Sequence, residues 1–154
     1  EWSEVYLNGD SYFSNNHADE DGGAIYSKAS EIFISGDSRF GNNHANRYGG
    51  AICGEALGLF IEGNTSFSHN HAAGDFFYAY NQPTNSSEGG ALYLEMSTVR
   101  ITGRAMFTNN GANYNGGAVF TDGSQFSTYG NTEFAYNLAG NKGGAVYAWE
   151  GDVS

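Results

Sequence analysis

Histidine and carboxylate side chains are the first groups in this sequence whose spacing suggests chemistry. His17, His44 and His71 follow one another at intervals of 27 residues. Such a row raises the question of a metal site, with His69 joining from the side. Imidazoles stacked in a straight line about 5 Å apart do not converge on a tetrahedral ion, which takes ligands from several directions. The row therefore reads as a repeat-derived ladder at a turn, and neither a metal nor any other cofactor is expected. Asp19-Glu20-Asp21 offers the oxygen donors that Ca²⁺ takes, but no acidic run recurs one interval later, so a solvated turn accounts for it. Asp10 and Asp37 each follow a glycine, Gly9 and Gly36, an ordinary turn position. Cys53 is the single cysteine, which forbids an internal disulfide and leaves a packed thiol. The sequons at Asn64 and Asn85 have meaning only in a eukaryotic secretory route.

Composition narrows the classes of partner. The chain has 154 residues with 17 acidic and 6 basic side chains, a formal net charge of −11. Nucleic acid and anionic membrane surfaces both call for clustered Lys and Arg, so neither is an expected partner. With 40% hydrophobic and 16% aromatic residues the sequence is too apolar for a disordered acidic chain. No apolar run approaches the roughly 20 residues of a membrane helix, so direct membrane insertion is not expected.

What must position these residues is a repeat. A Phe-x-x-Asn pattern begins at Phe13, Phe40, Phe67, Phe107 and Phe134, and ends at Asn16, Asn43, Asn70, Asn110 and Asn137. Between its copies runs Gly-Gly-Ala-aliphatic, beginning at Gly22, Gly49, Gly89, Gly116 and Gly143. Both patterns recur every 27 residues, except for one insertion of 13 residues within 71–88. A third block alternates apolar and polar residues and ends in Gly9, Gly36, Gly63, Gly103 or Gly130, as Ile32 and Ile34 do before Gly36. Period-two alternation marks a strand with one buried face. Each repeat thus holds three short strands with Gly, Asn and Asp at the corners, and no segment carries a helical period.

Three short strands cannot bury their apolar faces alone; copies stacked coil on coil can. The expected fold is all-β, a right-handed parallel β-helix of about five coils, with like residues one inter-strand spacing apart. The five phenylalanines become an internal aromatic stack and the five asparagines a ladder of amides, each able both to donate and to accept. A propeller or a sandwich would instead pair neighbouring strands as hairpins and would not demand identical residues at a fixed offset. The sequence starts in mid-coil before Val5 and stops inside a strand at Val153, with no capping element, so residues 1–154 read as one segment of a longer solenoid, or as a subunit that stacks end to end.

The alternation of FxxN with GGA(I/L/V) resembles the repeats of chlamydial polymorphic outer membrane proteins, the Pmp family. The resemblance extends over essentially the whole chain. It implies the β-helical passenger of an autotransporter, displayed at the bacterial surface and engaged in adhesion to host cells.

The residues themselves also point to binding rather than catalysis. If the aliphatic residue of GGA(I/L/V) faces inward, Ala24, Ala51, Ala91, Ala118 and Ala145 face outward, as does the column Tyr26, Cys53, Tyr93, Phe120 and Tyr147. On the second strand Phe33, Phe60, Arg100 and Ser127 face outward. These faces carry no paired carboxylates of the kind a polysaccharide lyase or hydrolase uses. An outward aromatic strip marks an interface unless neighbouring chain covers it. The insertion concentrates Phe76, Phe77, Tyr78 and Tyr80, and insertions in solenoids become loops on one face. The expected function is a surface scaffold or adhesin that presents these aromatics to a protein or glycan of a host or neighbouring cell. A segment of an extracellular filament, associating end to end or laterally, is the first alternative. A carbohydrate-active β-helix with its active coils elsewhere is the second.

Overall fold

The structure is a computed structural model and describes residues 2–74 and 87–154. Every strand pairing among them is parallel, and partners differ by one repeat: Phe13 lies opposite Phe40, Phe40 opposite Phe67, Phe67 opposite Phe107 and Phe107 opposite Phe134. The chain is a β-solenoid of about five coils, as the repeat predicts. Among the described residues no helix is long and apolar enough to cross a membrane.

Three sheets run along it. The largest has nine strands and combines the two strand types that the sequence separates. In two coils they form single ten-residue strands, Ile25–Ile34 and Ile52–Ile61. Later coils break them into pairs such as Leu92–Glu95 and Thr98–Ile101. The break falls at a left-handed residue, Met96 (φ 47°), whose equivalents Ala29 and Ala56 bend the longer strands without interrupting them. The second sheet holds the five Phe strands, Ser11–Ser14 through Thr132–Ala135. The third is built from two-residue strands, His17–Ala18, His44–Ala45, His71–Ala72, Gly111–Ala112 and Leu138–Ala139. The His-Ala pairs, expected at a turn, therefore make ladder bonds of their own.

The two sequence motifs are solutions to two corners. In FxxN, successive Phe rings stack at 4.8 Å with interplanar angles of 4–10°. The Asn amide of each coil donates to the Phe carbonyl of the preceding coil: Asn43 to Phe13 at 3.0 Å, Asn70 to Phe40 at 2.9 Å, Asn110 to Phe67 at 3.0 Å and Asn137 to Phe107 at 2.8 Å. The same amide donates to the Asn Oδ1 of the next coil, at 2.8–3.0 Å from Asn16 to Asn137. In GGA, the first glycine takes a left-handed φ of 62–68°. The second admits no Cβ: on Gly50 it would collide with the Gly90 carbonyl and the His71 backbone.

The core is one continuous cluster of Ile, Leu, Val, Phe and Ala running the length of the coils. Ile52, Leu92 and Val119 point into it, as expected. Ala51, Ala91 and Ala118, expected to face outward, are also fully buried there. They sit in the glycine bend before the strand begins, so strand alternation does not reach them. Thr121 occupies the inward column between Leu94 and Ala148, and its buried hydroxyl has no hydrogen-bond partner.

Two stability predictions follow from these corners and columns. Asn70→Ala strands the Phe40 carbonyl and the Asn43 amide inside the fold and is expected to cost roughly 3 kcal/mol, whereas Asn16→Ala, at the exposed end of the ladder, is expected to cost less than about 1 kcal/mol; denaturant midpoints of the two variants check the order. Thr121→Val keeps the shape and removes an unpaired hydroxyl, so the same measurement should show a gain of about 1 kcal/mol.

Candidate functional site

On the largest sheet, outward residues of the first strand type, together with the corner that precedes it, form three vertical columns. The central one is Tyr26, Cys53, Tyr93, Phe120 and Tyr147, in register through the pairings of successive coils. Strand alternation places Lys28, Glu55, Glu95, Asp122 and Trp149 two residues further along on the same face. The corner before the double glycine supplies the third column, with Tyr48 opposite Glu88 and Asn115 opposite Lys142.

The central column lies outside the main core and forms a second apolar cluster with Tyr48. Its middle is covered: Cys53, Tyr93 and Phe120 are only 1%, 7% and 6% exposed. Cys53 leaves a ring-sized gap, which Tyr48 fills from the corner by stacking on Tyr93 at 4.3 Å. Tyr93 then stacks on Phe120 at 5.1 Å, so an aromatic rail runs from Tyr48 to Tyr147 and Trp149. Burial, reinforced by nearby carboxylates, pushes the Cys53 thiol and the Tyr93 phenol well up from their ordinary values. Tyr26, at the open end of the column, donates from its hydroxyl to Glu55 Oε1 at 2.7 Å, and that bond raises its pKa to about 12. Lys28 pairs with the other oxygen of Glu55.

Charged groups fix the corner. Arg47 grips Asp21 with two nitrogens, at 2.8 and 2.5 Å, and lies 5.1 Å from the Tyr48 ring centroid. Of the Asp19-Glu20-Asp21 run, Asp21 is thus tied to a guanidinium, while Asp19 and Glu20 stay exposed as in a solvated turn. Asp37 takes its place in a turn ladder, accepting from the Asn64 amide at 3.0 Å.

The rail ends in a cleft of about 260 Å³. Phe120, Tyr147 and Trp149 line it from the aromatic side, while Glu88, Tyr114, Asn115 and Asn141 line it from the corner. Asn115 donates to Glu88 Oε1 at 2.7 Å, and Asn141 donates to Asn115 Oδ1 at 3.1 Å. Burial raises the Glu88 carboxyl above its ordinary value, Asn115 opposes the shift, and the charge of Asp122 adds to it. Lys142 lies 5.6 Å from the Tyr147 ring centroid.

The carboxylates correct the sequence expectation. Glu55, Glu95 and Asp122 stand in register in adjacent coils, so the face does carry neighbouring carboxylates. They were missed because the outward set stops at the aromatic residue, although the strand continues two residues further. Glu88, Asn115, Asn141 and Lys142 gave no signal because corner residues change identity from coil to coil.

A family model for the Chlamydia polymorphic membrane protein (Chlamydia_PMP) repeat matches residues 10–28, 37–55, 105–122 and 131–148. This chain carries four Pmp repeats. Each match spans one FxxN corner, one GGA corner and the start of the strand that follows, so the Pmp repeat is the unit that sets the outward columns. No curated protein and no solved structure matches the chain significantly.

Other aromatics of the chain lie apart from the cleft. Phe33 and Phe60, half-buried on the second strand, stack at 5.1 Å and extend to Tyr6 at 4.9 Å. Tyr6 extends the outward column of Phe33 and Phe60 by one coil, beyond the residues the sequence reading names for it. Phe76, Phe77, Tyr78 and Tyr80 lie outside the described residues. The flanks of the insertion are joined by Ser87, whose hydroxyl accepts from the Gly74 amide at 2.9 Å and donates to the Asn46 carbonyl at 3.2 Å.

The histidines stack on the third sheet. His17 and His44 share a hydrogen bond between their Nδ1 atoms at 2.9 Å, and His44 stacks on His71 with ring centroids 6.1 Å apart. His17 Nε2 lies 3.3 Å from Asp19. Among the described residues no three His, Cys, Asp or Glu side chains group as metal ligands. His71 lies over Gly111 with its outer edge open to solvent, and partial burial, then the neighbouring His44, lowers its pKa. The unfolded chain, with imidazoles near about 6.5, then binds the proton first. The His71 contribution is intact above that value, is lost as pH falls through it, and levels off below the folded-state pKa. Subtracting the unfolding free energies of His71→Gln from those of the native chain between about pH 7.5 and 5 should expose this loss; a flat difference would contradict it.

Proposed function

We propose that this chain is an adhesive segment of a surface-displayed scaffold, holding the outer face of its largest sheet toward a protein or glycan on a host or neighbouring cell. Two findings support the reading. Pmp family members are surface autotransporters of the outer membrane, of structural and adhesin type, and the β-solenoid suits a rigid exported passenger. The observation that carries it is the aromatic rail on the outside of the coil, which emerges at a cleft lined by Tyr147 and Trp149. Aromatic side chains cost little entropy when ordered and supply large contact area, which is why they anchor interfaces. The acidic charge of −11 favours partners that are not themselves strongly anionic.

Mechanism here is presentation. Parallel stacking fixes each outward column at inter-strand spacing, so a binding surface is preorganised before any partner arrives. The Tyr6, Phe33 and Phe60 stack and the Phe76, Phe77, Tyr78 and Tyr80 segment are further contact surfaces in this reading.

Beads coated with the purified chain are expected to adhere to cultured animal cells well above beads coated with an acidic control protein. Replacing Tyr147 and Trp149 by Ser, Phe33 and Phe60 by Ser, or the four insertion aromatics by Ser should each leave circular dichroism unchanged, and at least one replacement should lower adhesion severalfold. Adhesion equal to that of the control protein would defeat the proposal.

A further inference from the structure

The cleft at the end of the aromatic rail has a geometry of its own. Along the interior, rings stack within 4–10° of parallel. On the outer face the regularity holds through Tyr93 and Phe120, which lie 3° apart, and then fails. Tyr147 tilts 36° from Phe120, and Trp149 tilts 47° from Tyr147. Rings at these angles do not close on each other. They form a faceted apolar floor to the cleft.

Facing this floor is a wall of hydrogen-bonded Glu88, Asn115 and Asn141, with the Tyr114 ring beside it. Asn115 is 6% exposed and bonded both to Glu88 and to Asn141, so the wall does not have to order itself around a ligand. It is bonded through one oxygen of Glu88 and one nitrogen of Asn141, so the second oxygen of Glu88 and the Oδ1 of Asn141 are not used by those bonds. Asp122 adds carboxylate oxygens and Lys142 a donor.

An apolar floor beside closely spaced acceptors and a few donors matches a pyranose ring, which has an apolar C–H face and a rim of hydroxyls. We infer that this cleft binds one sugar ring of an uncharged saccharide. The inference rests on the adhesive reading and names the ligand class of its surface. Charge decides against acidic sugars: two carboxylates face a single lysine, on a chain of net charge −11. Size decides against a whole oligosaccharide: about 260 Å³ is below the roughly 300–1,000 Å³ of sites that enclose a drug-sized ligand, and it leaves the rest of a glycan outside.

The test presents the full chain to immobilised oligosaccharides ending in neutral hexoses, N-acetylhexosamines, sialic acid or sulfated sugars, and titrates any hit by calorimetry. A neutral class is expected to bind in preference to the acidic ones. Trp149→Ala and Asn141→Ala should each weaken that binding roughly tenfold or more. Tyr129→Ala, which removes an exposed ring stacked under Arg100 away from the cleft, should not. Binding to no neutral saccharide, a preference for sialylated or sulfated sugars, or affinity unchanged in both cleft variants overturns the inference. The bead assay run in parallel separates the two levels. Beads that adhere while no neutral saccharide binds discard the sugar site and leave the adhesive scaffold standing. Beads that do not adhere discard the scaffold reading itself.

Discussion

Coils can lie one β-ladder spacing apart only if every corner turns the chain without lifting it away from the coil beneath, and this constraint governs the molecule. Strands satisfy it automatically, because their amides and carbonyls point to the neighbouring coils. Corners do not, because a turning backbone leaves polar groups aimed at no partner. The Asn amide at FxxN answers for one corner by donating to the Phe carbonyl of one coil and to the Asn side chain of another. The double glycine answers for the other by removing the Cβ that would hold two coils apart. Because each answer depends on one residue type, both motifs recur almost unchanged from the first coil to the last.

That dependence explains how far the sequence reveals the fold. Residues that touch the next coil through their own copies, such as Phe40 on Phe67 or Asn43 on Asn70, must be repeated, so reading along the period finds them. It finds Ile32, Ile34, Leu59 and Ile61 for the same reason. It misplaces Ala51, because the glycine bend extends past the point where strand alternation starts. It misses the third sheet, because two ladder residues between corners leave no alternation to see.

The outer face follows a different rule and was read only in part. A corner side chain pointing away from the core has no obligation to match its copy, and the positions before the double glycine hold Asp21, Tyr48, Glu88, Asn115 and Lys142 in turn. The site assembled from them is a property of neighbouring coils, not of any one repeat. Tyr48 shows the same point within one coil. It stacks on Tyr93 only because Cys53, five residues further on, is too small to occupy its own place in the column. Neither residue announces this alone.

Two aromatic ladders therefore share one spacing and differ in freedom. The inner rings of Phe40, Phe67 and Phe107 are fully enclosed, and close packing keeps the stack parallel out to its partly buried ends, Phe13 and Phe134. The outer column is enclosed through Cys53, Tyr93 and Phe120, where Tyr48 packs beside Cys53 and Tyr93. Beside Asn115, Asn141 and Lys142, Tyr147 stands tilted from Phe120, and Trp149 from Tyr147, around the cleft. The switch from a covered rail to an open cleft thus needs no change in the backbone and none in the repeat. What differs is the set of outward side chains: Tyr48 beside Cys53 and Tyr93 in one place, Tyr114, Asn115, Asn141 and Lys142 beside Phe120 and Tyr147 in the other. A solenoid can alter its binding surface in this way, coil by coil, while the corners that hold its coils together stay the same.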